Sequence, residues 1–439
     1  MVGFKALAWL PEPAHRRFAA VEKRKTSNLG ILAFETAKIM SRLVSLYTSL
    51  SDDEISRLKN DVIRSKGVRF LNSGDEEFLL GLARAEKLED LDRAAAAVAC
   101  LGKKCDDSGL NRFTSVYTDL KLGFIDLGKS DLYGSRSAAR RVGRMKKLAS
   151  TTSYLRSAMD VLTDMEISEG KLKQLSRRQV EMMKIDPIDF SRKLENHRRE
   201  VRRLQETSLW SQTFDRSVDL MARTVCAVYV RIQVVFGPNQ GNLGPNIIPH
   251  SCPLLTESKP VQLHRWRSSI DFPNESSHGP DGVYHSAGPN TVGSAGLTTL
   301  YANVIVLAEK YLGSESPISH DEREGLYRML PENLKSALRM KLGKNMRFAE
   351  NDELLAKGWK EAVEDMLRWL GPMARDSLKW LVERNVLERM RLDGYGTKGN
   401  VLLLQTLHFA DREKTEAAIA EVLVGLSCIF RYGNRRLGV

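Results

Sequence analysis

Residues 28–54 read NLGILAFETAKIMSRLVSLYTSLSDDE and predict one amphipathic helix followed by the start of a second. Apolar residues recur three or four positions apart, which places them on one helical face: Leu29, Leu32, Ile39, Leu43, Leu46, Tyr47 and Leu50. Ser51 and Glu54 then match a capping box, in which the serine oxygen accepts from the third helical amide and the glutamate reaches back. This stretch indicates a bundle in which each helix buries one face.

Helical spacing continues up to residue 236. A second capping box, Ser73–Glu76, precedes a long helix, and Gly67 is the expected end of the helix before it. Asp186-Pro187 predicts the start of a further helix, since proline suits the first helical position. Its apolar residues keep helical spacing as far as Val228, so we expect one long helix in bundle or coiled-coil packing.

The residues after 290 also predict helices. Thr291 is placed to cap a helix over 291–312, and Ser319–Glu322 is a third capping box. Gly371-Pro372 predicts a break between two helices, because proline disfavours a helix interior. A final helix is expected over 411–432, and alternation of period two is scarce. The predicted fold class is therefore all-α.

Residues 237–290 interrupt this pattern. They hold 8 of the 14 prolines together with six glycines, a composition that disfavours regular structure. We expect two helical bodies, a long-helix bundle and a smaller C-terminal bundle, joined by this disordered Pro/Gly-rich linker. The predicted domains are a basic flexible N-terminus (1–27), an N-terminal helical domain (28–236), the linker (237–290), a C-terminal helical domain (291–433) and a tail (434–439).

The overall composition is that of a basic globular protein. The 439 residues carry a net charge of +12 and are 42% hydrophobic, which excludes global disorder. The sequence contains no run of about 18 apolar residues, so it predicts no transmembrane helix. Its first residues do not resemble a signal peptide. Five cysteines favour a reducing compartment over a disulfide framework. We therefore expect an intracellular protein of the nucleus, the cytoplasm or the cell periphery.

The excess charge is concentrated in one part of the chain. Residues 129–203 hold 19 lysines and arginines against 10 acidic residues, a net +9. Such clusters bind polyanions or anionic lipid, or serve nuclear import, while many are simply solvated helix faces. No RNA-binding aromatic motif or zinc-finger spacing accompanies them, so sequence-specific nucleic-acid binding is not expected. The candidate patch consists of Arg136, Arg140, Arg141, Arg144, Lys146, Lys147, Arg198, Arg199, Arg202 and Arg203.

Catalytic and metal motifs are almost absent from the sequence. Gly123–Ser130 matches the phosphate-binding pattern G-x-x-x-x-G-K-[ST], which requires a preceding strand and a following helix. The residues before it predict a helix, so we interpret the match as chance. Cys100 and Cys105 have no histidine at zinc-site spacing, and four linker histidines are irregularly spaced. We predict no catalytic residue, no metal and no cofactor.

A small-residue motif begins the C-terminal domain. Gly293, Ser294, Ala295 and Gly296 precede the apolar residues of the predicted helix. Small side chains allow close helix packing, and bare amides at a helix start can also bind an anion. We favour the packing interpretation, because isolated glycine motifs are weak evidence for binding.

Several strings of this sequence resemble the plant PSK SIMULATOR family. They are residues 28–43 and 50–58, Gly74–Leu80, Ser208–Phe214, Thr291–Leu297, Tyr301–Val306 and Trp369–Ala374. The first strings are similar to the family's N-terminal domain, and the last three resemble its C-terminal domain of unknown function. The resemblance implies a role in plant growth and in signalling by the peptide hormone phytosulfokine, and it implies no catalytic residue.

The resemblance and the residues together favour a non-enzymatic helical adaptor that binds protein partners. The alternative is a peripheral protein that contacts anionic membranes weakly through the basic patch. A nucleotide enzyme using Lys129 and Ser130 is the least favoured interpretation. Longer relatives begin Met-Gly and can be myristoylated, whereas Val2 cannot accept that acyl group, so no lipid anchor is expected. The partner's identity and the oligomeric state are not specified by the sequence.

Overall fold

The computed structural model describes residues 28–125, 135–174, 187–237, 287–314, 319–345, 353–389 and 401–436. The N-terminus, nearly all of the predicted linker and the last three residues lie outside this part of the chain. The described residues form fourteen α-helices, and their β-structure is limited to two isolated bridges, Asn28–Thr213 and Thr291–Asp411. The all-α prediction is confirmed.

Nine helices precede the predicted linker within the described ranges. The first six are α1 (Leu32–Thr48), α2 (Asp52–Arg57), α3 (Lys66–Leu71), α4 (Glu76–Gly102), α5 (Ser108–Asn111) and α6 (Phe113–Lys121). A π-helical turn, Leu58–Val62, extends α2. The last three are α7 (Ser135–Gln174), α8 (Pro187–Thr207) and α9 (Phe214–Phe236). Helix α7 packs on α1 and α8, and α9 packs on α4.

Five helices follow among the described residues. They are α10 (Thr298–Leu312), α11 (His320–Met329), α12 (Glu332–Asn345), α13 (Glu353–Arg389) and α14 (Arg412–Arg436). Helix α13 packs on both α10 and α14. An irregular segment with a short 3-10 turn, Leu403–Gln405, lies between α13 and α14 and is almost entirely buried.

Two of the three predicted capping boxes have the expected serine as the cap, and in the third a different residue takes its place. Ser51 Oγ accepts from the Glu54 amide at 3.5 Å, and Ser319 forms the complete capping box with Glu322. Helix α4, however, is capped by Asp75, whose carboxylate accepts from the amides of Glu77 and Phe78. Ser73 instead accepts from the amide of Asp75. The capping box predicted at Ser73–Glu76 is therefore replaced by a cap at Asp75, which accepts from two amides of the first turn of α4.

The prediction of one long helix from Asp186-Pro187 to Val228 is wrong, because α8 ends at Thr207 and α9 begins at Phe214. Ser208 Oγ accepts from the Trp210 amide, and Thr152 Oγ1 accepts from the Leu209 amide. The carbonyls of Trp210 and Gln212 accept from the amides of Gly30 and Leu29. These partners satisfy the backbone without a helix, which apolar spacing alone does not reveal.

The break predicted at Gly371-Pro372 is also wrong, since Pro372 lies inside the continuous helix α13. An interior proline removes one helical hydrogen bond and costs about 3 kcal/mol. Both flanks of Pro372 are buried in the same core, through Leu367 and Leu370 on one side and Met373 on the other. Burial of these side chains on both flanks offsets the proline cost.

Two hydrophobic cores divide the helices in a way that does not follow the linker. The first core joins α1, α5, α6 and α9 to the second half of α4 and the start of α7. The second core contains the C-terminal helices and six side chains of an earlier segment: Leu58, Ile63, Val68, Leu71, Leu79 and Ala83. Residues 58–83 thus pack with residues 292–426. The domain boundaries given by the sequence analysis stay a prediction.

Gly67 allows α3 to lie directly against α13. It was expected to end a helix, but it occupies the first turn of α3, behind the Ser65 cap. A Cβ at this position would lie 2.8 Å from the carbonyl oxygen of Trp369 and 2.7 Å from Sδ of Met373. Only a residue without a side chain fits this contact between backbones.

We predict that Gly67→Ala destabilises the protein by about 1–3 kcal/mol, because the added methyl group must push α3 away from α13. Gly81→Ala is the matched control, since Gly81 is exposed within α4 and a Cβ there meets no atom within 4 Å. That substitution should stabilise by about 0.5–1 kcal/mol. Urea unfolding of both variants measures the difference, and equal midpoints would contradict the proposed contact.

Candidate functional site

The first half of the predicted basic patch lies on one exposed face of α7. Arg136, Arg140, Arg144 and Lys147 follow one another at helical spacing and are exposed. The opposite face buries Ala138, Val142, Met145 and Ala149 in the first core. Packing of that apolar face directs the cations to solvent.

These cations are not neutralised within the part of the chain that the structure describes. No carboxylate of a described residue lies within 4 Å of Arg136, Arg140, Arg144, Lys146 or Lys147. Arg141 is different, because it is half-buried and its guanidinium donates to Ser137 Oγ at 2.9 Å. The stripe on α7 is therefore a surface of one charge.

The second half of the patch is largely neutralised by acidic neighbours. Arg198 lies 3.1 Å from Glu166 and 3.8 Å from Glu169 on α7, and Arg203 lies 2.6 Å from Glu200. Arg202 is 3.7 Å from Glu195, and Arg199 is exposed without such a pair among the described residues. The Arg203 guanidinium holds the pKa of Glu200 below its usual value.

The two halves of the patch are also far apart. Arg198 contacts Glu166, which lies about 20 residues beyond Lys146 on α7, or roughly 30 Å along a helix axis. The basic patch predicted from the sequence therefore consists of two separate parts. The cations of the stripe on α7 have no carboxylate partner among the described residues, whereas most of the arginines on α8 are paired with glutamates. Whether either half binds a polyanion stays a prediction.

The motif Gly293–Gly296 lies in a turn before α10 and does not start the helix. Thr291 does not cap α10, which begins at Thr298. Instead, the amides of Val292 and Gly293 donate to the carbonyls of Ala410 and His408, both at 2.9 Å. A Cβ at Gly293 would overlap the His408 side chain and carbonyl.

The phosphate-binding pattern begins after a helix. Helix α6 ends at Lys121, and Gly123 has a positive φ of 76° at the turn that follows. Phe124 is exposed and Ile125 is buried, while Asp126–Ser130 lie outside the described residues. The strand that a phosphate-binding loop requires is therefore absent before Gly123.

The described residues form no metal site, and three of their cysteines are poor nucleophiles. No group of three or more metal-ligating side chains occurs in the described ranges. Cys105, Cys226 and Cys428 are free thiols whose pKa values are raised, in each case first by burial. A raised pKa makes a thiol a poor nucleophile at neutral pH. Cys252 and the four linker histidines lie outside the described residues.

Membrane crossing receives no support from the helices described. None of them is both long enough and apolar enough to span a bilayer.

A polar contact that the sequence analysis missed connects α4 to the C-terminal segment. The Glu86 carboxylate accepts from the Leu403 amide at 2.8 Å and from Trp380 Nε1 at 3.4 Å. Next to it, Leu82 packs with Leu403 and Phe409 in a small separate cluster. Glu86 thus joins α4, α13 and the irregular segment 401–411.

The environment of Glu86 disfavours its charge. Burial, and after it the Asp90 carboxylate, raise the pKa of Glu86 to about 7. Burial also raises the pKa of Asp90 and lowers that of Lys87, whose side chain is buried one position along α4. Perturbed groups of this kind occur both at functional sites and in structural networks. Here the hydrogen-bond partners of Glu86, the Leu403 amide and the Trp380 indole, are structural groups.

The sequence did contain a weak signal for this cluster. Glu86, Lys87 and Asp90 lie within the apolar spacing that Leu82, Ala85, Leu88 and Leu91 define on α4. Charges that interrupt an otherwise apolar helix are seldom buried without partners. The hydrogen-bond partners of Glu86 lie about 300 residues away in the chain, so spacing alone does not identify them.

Together, these features define an all-α protein with structural polar contacts inside and charged helix faces outside. Residues 31–87 match the family model "Domain of unknown function (DUF3475)", and residues 291–379 match "Protein of unknown function (DUF668)". No solved structure shows a significant match.

Three curated proteins of Arabidopsis thaliana are similar to almost the whole chain. Protein PSK SIMULATOR 1 is 26% identical over 93% of this chain, PSK SIMULATOR 2 is 26% identical over 97%, and PSK SIMULATOR 3 is 26% identical over 92%. The aligned region covers 57%, 63% and 56% of those proteins, so the chain spans less than two thirds of their length. These matches support the resemblance to the PSK SIMULATOR family that the strings of the sequence indicated.

We predict that Glu86→Gln removes a pH dependence of stability. The pKa of Glu86 is raised from 4.5 in a free side chain to about 7 in the folded protein. Ionisation of Glu86 therefore lowers the free energy of unfolding. This loss is absent below pH 4.5, grows between pH 4.5 and 7 and stays constant above pH 7, with an upper bound of about 3 kcal/mol.

Urea unfolding at several pH values measures this effect. The wild-type protein should lose stability from this group as the pH rises from 4.5 to 7, and Glu86→Gln should lose less. Glu206→Gln is the control, because Glu206 is exposed on α8. Identical pH profiles for the wild-type protein and Glu86→Gln would show that Glu86 titrates normally.

Proposed function

We propose that this protein is a non-enzymatic helical adaptor that promotes plant growth in signalling by phytosulfokine. The supporting observation is the similarity of 92–97% of the chain to three proteins named PSK SIMULATOR. The family models that match both helical regions describe domains of unknown function and name no activity. Because the chain spans only part of its relatives, their role is extended to it as part of this proposal.

The described surface is consistent with protein binding more than with catalysis. In the described ranges the polar groups with shifted pKa values contact structural partners, as Glu86 does with Leu403 and Trp380. By contrast, α7 presents an exposed stripe of cations, and several large apolar side chains are exposed elsewhere. Rigid helix faces with exposed charges and apolar side chains are what helical adaptors present to partners. We expect those partners to be proteins inside the cell.

We predict that source plants lacking this protein show a reduced growth response to phytosulfokine. Root length of seedlings with and without the peptide measures the response, and re-expression of the wild-type chain should restore it. Lys129→Ala should restore it equally, because the adaptor needs no nucleotide. An unchanged response in plants without the protein would contradict the signalling role, and failure of Lys129→Ala alone would favour a nucleotide enzyme.

A further inference from the structure

Two aromatic side chains from distant parts of the chain form an exposed pair beside two lysines. Phe70, on α3, and Trp369, on α13, meet edge to face with ring centroids 5.5 Å apart. Phe70 remains 48% exposed, and Trp369 is half-buried. We call this region the Phe70 surface; it consists of Lys66, Arg69, Phe70, Trp369 and Lys414.

Two lysines of the Phe70 surface lie against the aromatic rings. Lys66 Nζ is 5.9 Å from the centroid of Trp369, and Lys414 Nζ is 5.7 Å from that of Phe70. Lys414 also donates to the Phe70 carbonyl at 3.4 Å. No carboxylate of a described residue lies within 4 Å of Lys66, Arg69 or Lys414. The positive charge is therefore available to a ligand.

The backbone beneath the Phe70 surface is held firmly. Gly67 brings α3 against the carbonyl of Trp369, and the Asp411 amide donates to the Leu71 carbonyl at 2.8 Å. Three elements, α3, α13 and the start of α14, are thus fixed around the two rings. A surface of rigid aromatic groups loses little entropy when it binds a partner.

We propose that the Phe70 surface is a docking site for an acidic peptide segment that inserts a large apolar side chain beside Phe70 and Trp369. Aromatic residues are enriched in the buried centres of protein interfaces, where they contribute most of the binding energy. Unpaired lysines and an arginine around such a centre select acidic side chains on the partner. This inference rests on the adaptor function and assigns it a place and a partner chemistry.

Nearby carboxylates favour a peptide over a membrane as the partner. Asp365 lies one helical turn before Trp369 and is paired with Arg368, and Glu413 is exposed next to Lys414. A flat anionic bilayer brought onto the aromatic pair would also meet the exposed Glu413 carboxylate, which weakens its attraction to the lysines. A peptide can place its acidic groups against the lysines and away from Glu413.

Selection of peptides from a random phage-display library on the full chain tests the proposal without a known partner. The enriched peptides should carry Asp or Glu around a Phe, Leu or Trp. Fluorescence anisotropy with one enriched peptide should show at least a tenfold loss of affinity for Phe70→Ala, which corresponds to about 1.4 kcal/mol. A similar loss is expected for the double variant Lys66→Glu/Lys414→Glu, and affinity should fall as salt is added.

Two matched control variants distinguish binding at the Phe70 surface from non-specific binding. Phe78→Ala removes another exposed phenylalanine, which is 42% exposed on α4, and Lys104→Glu reverses an exposed cation just after the end of α4. Both should bind the peptide as the wild-type chain does. Unchanged melting temperatures establish that Phe70→Ala and the double variant are folded.

Three results would overturn the proposal. The selection could yield no acidic apolar sequences, or the control variants could weaken binding as much as Phe70→Ala does. Phosphatidylserine vesicles could also bind in a Phe70-dependent way while the peptides do not, which would assign the surface to a bilayer. Growth of plants expressing Phe70→Ala separates this proposal from the adaptor function: if they respond normally, the function stands and this docking site does not serve it.

Discussion

The arrangement of the described helices depends on α4, because this one helix contributes to both hydrophobic cores. Leu79 and Ala83, near its start, are buried with the C-terminal helices, whereas Leu91, Val98 and Leu101 are buried with α1 and α9. A helix of 27 residues is about 40 Å long and is stiffened by its backbone hydrogen bonds. The linker therefore does not by itself set how the two cores are placed. Glu86 lies near the middle of α4, where the helix passes from one core to the other.

Much of the secondary structure could be predicted from the sequence, because helix-forming spacing and caps are local. The box at Ser319–Glu322 and the cap at Ser51 are formed as expected. The failures at Ser208 and Pro372 share one cause: the deciding contacts come from residues far away in the chain. Thr152 and residues 28–30 bind the backbone after Ser208, and one core buries both flanks of Pro372. Gly67 is a similar case, since its role depends on the carbonyl of Trp369.

In the candidate sites, too, the sequence revealed the local features and not the contacts between distant residues. The sequence identified the cations of α7 and α8, since composition and helical spacing suffice to find a basic face. It did not show that Arg198 is paired with Glu166 while Arg140 has no such partner among the described residues. The pairing depends on α7 and α8 lying side by side. The Phe70 surface and the contacts of Glu86 were missed for the same reason, because each joins residues about 300 positions apart.

The protonation state of Glu86 depends on the contacts that hold α4 against α13 and the segment 401–411. Its carboxylate shares one contact region with α13 and the segment 401–411, and its pKa is about 7 there against 4.5 in water. A partner that pulls this segment away from α4 would return the carboxyl group to water, where it ionises more readily. Between those two pH values such a partner would therefore release a proton on binding, and its apparent affinity would rise with pH.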